Sequence, residues 1–552
     1  MNRAPSPLQT GMHEKAAAPA GIVLALCGVL ALMAWVFWPV TGGDFVVDDD
    51  VFITTARMID APWAAFWQSH FYEPYYFRPL GVVSWWLAWR AFGLDYLPHA
   101  LINLVLHGVN VLLLVALLRA LAVRGWALVA AAALVALAPF GLAPAMWPSN
   151  RFDVLATGFL LLLGWLLLRA LASARPTAWL LGAAVAALAA CWSKEMAYPV
   201  ATAMALAVLA ARSYPWTRRW RVFAVLGAAV GMAFLWRHGV LADAYAVVIG
   251  NPLVAVTRGL SVMTQLLPGL VTRSLGGGLG WFWLAALSLL VVVSAWGGGR
   301  RGAGGASPSG GAVLAAAMVM LAAVLVQTPL AQLAAPLADG SAFGTVAFLR
   351  FYYAPWVAFV VLVALLLARA RWVRAGSLAM VAVALAGAVA LRPLGVSLAQ
   401  WVNTEVRPYA VAATAIADDA ATDSPCLLVF LGTQSRHPYF RMFSDVAVKA
   451  RAQHPDRAWR CFVMTESTPW LFAFPQGMAL PAWPMPAIIN PDGSPKADST
   501  WSTIRYRYRL PPADLASLSG ARFFDWRDGR FVEVTDEVRR GERKVPSRGW
   551  GL

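Results

Sequence analysis

Residues 21–50 read GIVLALCGVLALMAWVFWPVTGGDFVVDDD, an uncharged run of twenty residues followed within a few positions by three adjacent carboxylates. A helix rising about 1.5 Å per residue needs roughly 20 apolar residues to cross a hydrocarbon core, so Gly21 to Val40 has the length of a membrane span. The run is too long for a signal-peptide core and no small-residue cleavage site follows it, so it reads as a retained first span. The segment before it, 1–20, is polar and weakly basic, as a cytoplasmic tail is.

Working outward, comparable runs recur at 98–118, 126–146, 154–170, 177–193, 198–211, 222–240, 282–298, 312–335, 351–368 and 376–394. Over 552 residues the chain is 60% hydrophobic and 13% charged, against about 25% charged in soluble domains. The expectation is an all-α polytopic membrane bundle of about eleven transmembrane helices over 21–395, with the bilayer as solvent for most of the chain. After residue 395 charges return and apolar runs shorten, which marks a small separate domain over 396–552.

The basic residues set the orientation. Arg119 and Arg124; Arg169 and Arg175; Arg212, Arg218, Arg219 and Arg221; Arg300 and Arg301; and Arg369, Arg371 and Arg374 fall on one side when the spans are threaded from a cytoplasmic N-terminus. That agreement is the positive-inside pattern. The formal net charge of +16 therefore reflects topology, and nucleic acid is not an expected partner. The other face holds the long segments 41–97 and 241–281, and with them the terminal domain. Segment 41–97 is rich in Trp, Tyr and Phe and is expected to hold interfacial helices. Segment 241–281, interrupted by Asn251-Pro252, Pro268 and Gly276 to Gly278, is expected to form a re-entrant or interfacial hairpin.

The terminal domain reads as α/β: a buried strand from Cys426 to Gly432, a helix from Tyr439 to Ala452, and a second strand from Arg460 to Glu466. Parallel pairing of the strands would bring Cys426 near Cys461. Outside the cytoplasm the two form either a disulfide or a pair of free buried thiols. Cys27 and Cys191 fall in spans and read as apolar filler.

Polar chemistry concentrates on the outer face. Asp48, Asp49 and Asp50 repel one another, which costs stability unless cations or hydrogen-bond donors offset it. Cations that the positive-inside rule would keep scarce there are Arg78, Arg151, Lys194 (beside Glu195), Arg258 and Arg350. Each could be half of a local ion pair, Arg151 with Asp153 or Lys194 with Glu195. Taken together they describe a cationic pocket beside an acidic one at headgroup depth. His99, Asn103 and His107 line one face of the second span at spacings of four. His99 and His107 lie about 12 Å apart along the axis, too far for a metal pair. Such a face points into a bundle or its cavity.

This pairing suits transfer of a sugar from a polyprenyl phosphate. Cations hold the phosphate and stabilise the charge that builds on it, while a carboxylate takes the proton from the attacking acceptor hydroxyl. A single displacement inverts the anomeric centre. No cofactor is needed when protein cations neutralise a monophosphate, although three Asp side chains could hold Mg²⁺ or Mn²⁺.

With these residues in view, the chain resembles the C-type (GT-C fold) membrane glycosyltransferases, in particular the branch of the transmembrane and tetratricopeptide-repeat protein O-mannosyltransferases and their bacterial relatives. Phe45-Val46-Val47-Asp48-Asp49 with Ile53, Tyr76 to Leu80, Asn103 with His107, Arg151 to Leu155, Ser193-Lys194-Glu195, Asn251-Pro252-Leu253 with Arg258, and Arg350 to Tyr353 match its short motifs in order. The resemblance covers about residues 20–370. It implies a polyprenyl-phosphate sugar donor, Asp48 or Asp49 as base, and transfer on the noncytoplasmic face of a bacterial inner membrane, with a periplasmic terminal domain. Asp50, Glu195, His99, Asn103, His107, Tyr353 and Arg258 are the expected substrate-contacting residues. Three positions depart from the pattern: Leu349 stands where that branch has Glu, Thr55 replaces an Asn, and His99 is offset by one. No helical repeat of about 34 residues follows the spans, so an envelope glycan or lipid acceptor is as well supported as a protein.

Within glycan chemistry an O-antigen ligase or polymerase also uses outer-face cations, but generally without an acidic pair after the first span. A lipid-linked sugar flippase would place ionisable groups mid-span within repeated, broken helices. A non-catalytic assembly protein would put its working part in the terminal domain.

Overall fold

In the computed structural model the described residues are 20–46, 49, 52–53, 56, 61–67, 77–241, 252–296, 308–334, 342–420, 426–431, 461–465, 470–473, 504–507 and 521–544. The helices are α1 Ala20–Phe37, α2 Pro79–Phe92, α3 Tyr96–Ala120, α4 Trp126–Ala136, α5 Leu142–Met146, α6 Arg151–Ala172, α7 Thr177–Ser193, α8 Ala197–Ala210, α9 Trp216–Leu241, α10 Pro252–Ser274, α11 Gly278–Trp296, α12 Gly310–Ala334, α13 Ala342–Leu349, α14 Tyr353–Arg369, α15 Val373–Trp401, α16 Arg407–Ala420 and α17 Thr535–Arg539. Each of the eleven apolar runs is helical. Among the described residues eight helices are long and apolar enough to cross a membrane, and a ninth crossing follows if the bent pair α4 and α5 is one span. The chain is a multi-pass membrane protein.

The remaining two runs, α7 and α8, have 17 and 14 residues. Helices of that length rise about 25 and 21 Å, short of a hydrocarbon core of about 30 Å. Segment 252–274 is a single helix, not the hairpin expected from its prolines and glycines. Pro268 is accommodated inside it, and the chain reverses instead at Gly276 and Gly277, whose φ values of +77° and +70° need glycine.

The chain divides into two compact units: one of residues 1–42, 77–81 and 97–398, the other of 43–76, 82–96 and 399–552. In the first, α4 is apolar all round and every residue from Ala127 to Ala136 is buried, as a helix without a polar face requires. Around it pack α1 and α14, and α14 packs in turn on α11 and α12. The outer helices turn large apolar side chains outward: Leu235, Phe282, Leu289 and Leu314 are all more than half exposed. A water-soluble protein rarely shows such contiguous patches, whereas lipid solvates them.

The break between α4 and α5 is a 55° bend starting at Pro139, which lacks the N–H that would continue the ladder. Trp147 is then extended, as the residue before a proline tends to be, and Pro148–Asn150 makes one tight turn into α6.

In the second unit a four-stranded sheet runs in the order β2 (Cys461–Thr465), β1 (Cys426–Leu431), β5 (Ala521–Arg527), β6 (Arg530–Glu533). β1 is parallel to both neighbours and β5 pairs antiparallel with β6; a separate antiparallel pair joins β3 (Trp470–Ala473) and β4 (Ile504–Arg507). Both expected strands exist, and their register sets Cys426 opposite Cys461. The expected helix at 439–452 lies outside the described residues. Tyr409 of α16 packs its ring on Trp526 and Phe531, which with Phe430 and Phe524 form the aromatic core of this sheet.

Candidate active site

The first unit brings together charged residues from four separated stretches, each at a helix end. Arg78 immediately precedes α2; Arg151 and Asp153 open α6; Lys194 and Glu195 join α7 to α8; Arg350 opens the tight turn Arg350–Tyr352 between α13 and α14. The two local ion pairs considered from the sequence are not the ones formed. Lys194 Nζ donates to both oxygens of Asp153, at 2.6 and 2.5 Å. Arg78 grips both oxygens of Glu195, Nε at 3.0 and 2.8 Å and a terminal nitrogen at 2.6 Å. Arg151 Nε donates to Asn103 Oδ1 at 3.0 Å, and its other arm reaches the His99 carbonyl at 3.2 Å.

Burial makes these pairs consequential. Arg151 is 0% exposed and Asp153 3%. A buried ion is tolerated only with a partner of good geometry, because leaving water costs several kcal/mol per charge. Burial pulls the Lys194 ammonium below its usual range. Asp153 opposes that shift, while the charges of Arg78 and Arg350 add to it. Burial acts to raise the Glu195 carboxyl, but the charge and hydrogen bonds of Arg78, helped by Arg237, outweigh it and hold the group below the usual carboxylate value. Lys194 thus feels Asp153, Arg78 and Arg350, and Glu195 feels Arg78 and Arg237, so these residues form one electrostatic cluster; Arg151 stands beside Asp153 at the start of α6 and is held by Asn103.

Aromatic rings frame the cations. The Arg350 guanidinium lies 4.4 Å from the Trp147 ring centroid and 4.8 Å from that of Phe351; Lys194 Nζ is 5.7 Å from the same Phe351 ring, and Arg78 sits 5.5 Å from Phe152. Ring faces attract cations without neutralising them, so the charge remains available to an anion. Gly81 permits the Phe152 contact: a Cβ there would stand 1.9 Å from the Phe152 ring edge.

A buried polar layer on α3 supports the cluster. Asn103 Nδ2 points at three carbonyls freed by the break after α4, those of Pro144, Trp147 and Pro148 at 3.2, 2.9 and 3.4 Å, and its oxygen holds Arg151. His107 Nδ1 meets the Tyr353 hydroxyl at 2.8 Å, and Asn110 donates to that hydroxyl at 3.2 Å and to the Val154 carbonyl at 2.9 Å. His99, Asn103 and His107 do share one buried face, but Asn103 and His107 act on the bundle, and the imidazole of His99 is not the part that meets Arg151. Arg258 stands exposed on α10, and among the described residues no contact joins it to the cluster. The sequence reading gave no role of their own to Phe152 and Phe351, which lie within the quoted motifs, and missed Trp147 because nothing singles it out among 27 Trp. Asn110 it could have found, since it lies one turn beyond His107 on the same stripe.

In the second unit Asp49 is fully buried and fixed by a reciprocal turn: its Oδ2 accepts from the Val46 N–H at 2.9 Å, and its own N–H donates to the Val46 carbonyl at 3.1 Å. Asp44 is held by Arg407 at 3.1 Å. Asp48 and Asp50 lie outside the described residues. Among the described residues no group of three or more His, Cys, Asp and Glu side chains is arranged to hold a metal.

No protein-family model and no curated protein matches the chain. Among solved structures it is similar to the archaeal oligosaccharyltransferase AglB from Archaeoglobus fulgidus, in complex with an inhibitory peptide and a dolichol-phosphate, at 17% identity and a TM-score of 0.40. The match covers 80% of this chain and 64% of that one, so it spans less than two thirds of the AglB chain.

Proposed function

We propose that the chain is an integral membrane glycosyltransferase. It moves a sugar from a polyprenyl-phosphate donor to an envelope glycan, lipid or protein acceptor on the noncytoplasmic face, with inversion. The observation that carries this reading is the meeting of Arg78, Lys194 and Arg350, which lie far apart in sequence, in one largely buried and aromatic-framed cluster, with Arg151 opening the helix that supplies Asp153.

A preorganised cation set of this kind stabilises charge as it develops on a leaving phosphate, and it does so most strongly where water is excluded. Arg350, whose planar group is held between the Trp147 and Phe351 rings, is a cation able to take a phosphate oxygen. Lys194 and Arg78 are fixed in position by their carboxylates and can still present donors to a phosphate oxygen. Asp153 and Glu195 are then positioning groups. The base is Asp48 or Asp49, and the turn that fixes the Asp49 carboxylate is the preorganisation a proton acceptor needs. The acidic residues after the first span favour this reading over an O-antigen ligase or polymerase, and over a flippase.

The experiment is transfer from a panel of polyprenyl-phosphate sugars by the purified intact protein, comparing wild type with Asp48→Asn, Asp49→Asn and the double variant. Loss of at least about a hundredfold in turnover for one single variant is expected, the range a general base supplies. Full activity in the double variant would remove the acidic pair from the mechanism.

A further inference from the structure

Between α6, α8, α12 and α14 lies a cavity of about 1030 Å³ whose walls are almost wholly Leu, Val and Ala. Along α6 its lining runs from Thr157 to Leu171, about 21 Å of helix. Its charged residues are at one end, where Arg212 and Arg219 lie with Tyr214 and Ser309; among the described residues no acidic side chain lines it. At the other end Thr157 is 2% exposed, and its hydroxyl has no hydrogen-bond partner among the described residues.

The cationic end lies at an aromatic belt. Arg219 sits 5.1 Å from the Trp216 ring, Trp216 stacks on Trp220 at 6.1 Å, and both rings are about half exposed. Trp rings in such positions mark headgroup depth, and this Arg cluster is one the positive-inside pattern assigns to the cytoplasm. The candidate active site is at the opposite end of α8: Lys194 comes just before Ala197, and Arg212 just after Ala210. The two cation groups are therefore separated by a helix about 21 Å long.

We infer that this cavity seats an anionic phospholipid, with its phosphate between Arg212 and Arg219 and its acyl chains along α6 and α8. The charge complementarity is one-sided and local, as basic pockets between membrane helices that take anionic headgroups are. The inference does not depend on the reaction proposed above.

The test reconstitutes the intact protein in nanodiscs of phosphatidylcholine with and without phosphatidylglycerol, and reads retained lipid by native mass spectrometry after detergent exchange. Wild type should hold phosphatidylglycerol over phosphatidylcholine by about tenfold or more, the factor two Arg contacts supply near a membrane surface. Arg212→Gln with Arg219→Gln should bring the ratio near unity. Arg219 also donates to the Leu209 carbonyl, so Arg212→Gln alone, expected to lower the ratio about threefold, guards against misfolding of the double variant. Ala207→Phe, which fills the cavity and leaves both arginines, should abolish retention of either lipid. Equal retention of both lipids by wild type, an unchanged ratio in Arg212→Gln, or displacement of phosphatidylglycerol by polyprenyl phosphate would overturn the inference; the last would make the cavity part of the donor's site.

Discussion

Lys194 and Asp153 are 41 residues apart in sequence, yet the ammonium meets both carboxylate oxygens within 2.6 Å. Their sequence neighbours, Glu195 and Arg151, are committed elsewhere. Asp153→Asn or Lys194→Gln alone should lower stability by about 3–5 kcal/mol, because each leaves one buried charge uncompensated. Replacing both with Leu and Met should restore most of that stability, while transfer stays lost. Thermal denaturation in detergent, run beside the transfer assay, reads both quantities. Equal destabilisation by single and double changes would show that the pair's electrostatics are not what matters.

Glycine replacements should divide by geometry. Gly227→Ala on α9, where an added methyl meets nothing, should be neutral or stabilise by up to about 1 kcal/mol through helix propensity. Gly81→Ala should instead cost about 1–3 kcal/mol, because the methyl would occupy the position of the Phe152 ring and unseat Arg78. Melting temperatures of the two variants measure the difference.

Arg350→Lys keeps the charge and loses the planar group that stacks on Trp147 and Phe351. The expected result is a fall of at least about tenfold in kcat/KM with a stability loss of no more than about 1–2 kcal/mol, the worth of the stacked contact. Arg350→Ala should fall further. Steady-state kinetics at varied donor concentration separates weaker donor binding from slower turnover.

The terminal sheet should carry an acid limit of its own. Burial acts to raise the Asp525 carboxyl, but hydrogen bonds and charge from Arg543 and Arg527 hold it below its usual 3.8. A carboxyl lowered by folding contributes stability that is fully present above the unfolded value. That contribution is lost as pH falls through the lower folded value. Protection factors of strand β5, corrected for the intrinsic pH dependence of amide exchange, should thus be flat near neutral pH and fall below about pH 4, and Asp525→Asn should flatten that acid limb.

What could be read from the sequence follows the physics of each feature. Eight of the eleven apolar runs became helices of span length, because that length is a one-dimensional property fixed by bilayer thickness; the bend at Pro139 and the short α7 and α8 depend on packing, which apolar length does not encode. The two strands at Cys426 and Cys461 were equally legible, since a short apolar run bounded by turns has few alternatives. The addition of β5, with β6 as antiparallel edge, depended on pairing over about ninety residues, which no local pattern encodes. The ion pairs were misread for a specific reason. Arg151 and Asp153 are two apart on a helix and so do not face each other, while Lys194 and Glu195 are adjacent in an extended joint and point to opposite partners. Helix packing chose the partners, and packing is not written in either motif. Segment 252–274 was misread because Pro268 was taken as a breaker, whereas its helix continues through it.

The Lys194–Asp153 contact also constrains how the protein is made. Asp153 leaves the ribosome well before Lys194, and in between the chain must insert the rest of α6 and all of α7. Until Lys194 arrives, a carboxylate destined for a nearly anhydrous position has no counter-ion, and its membrane insertion is unfavourable. The stretch from Asp153 to Lys194 is therefore expected to settle in the bilayer as one cooperative unit. Nascent chains truncated between Ser193 and Ala197 should be where integration changes from reversible to committed.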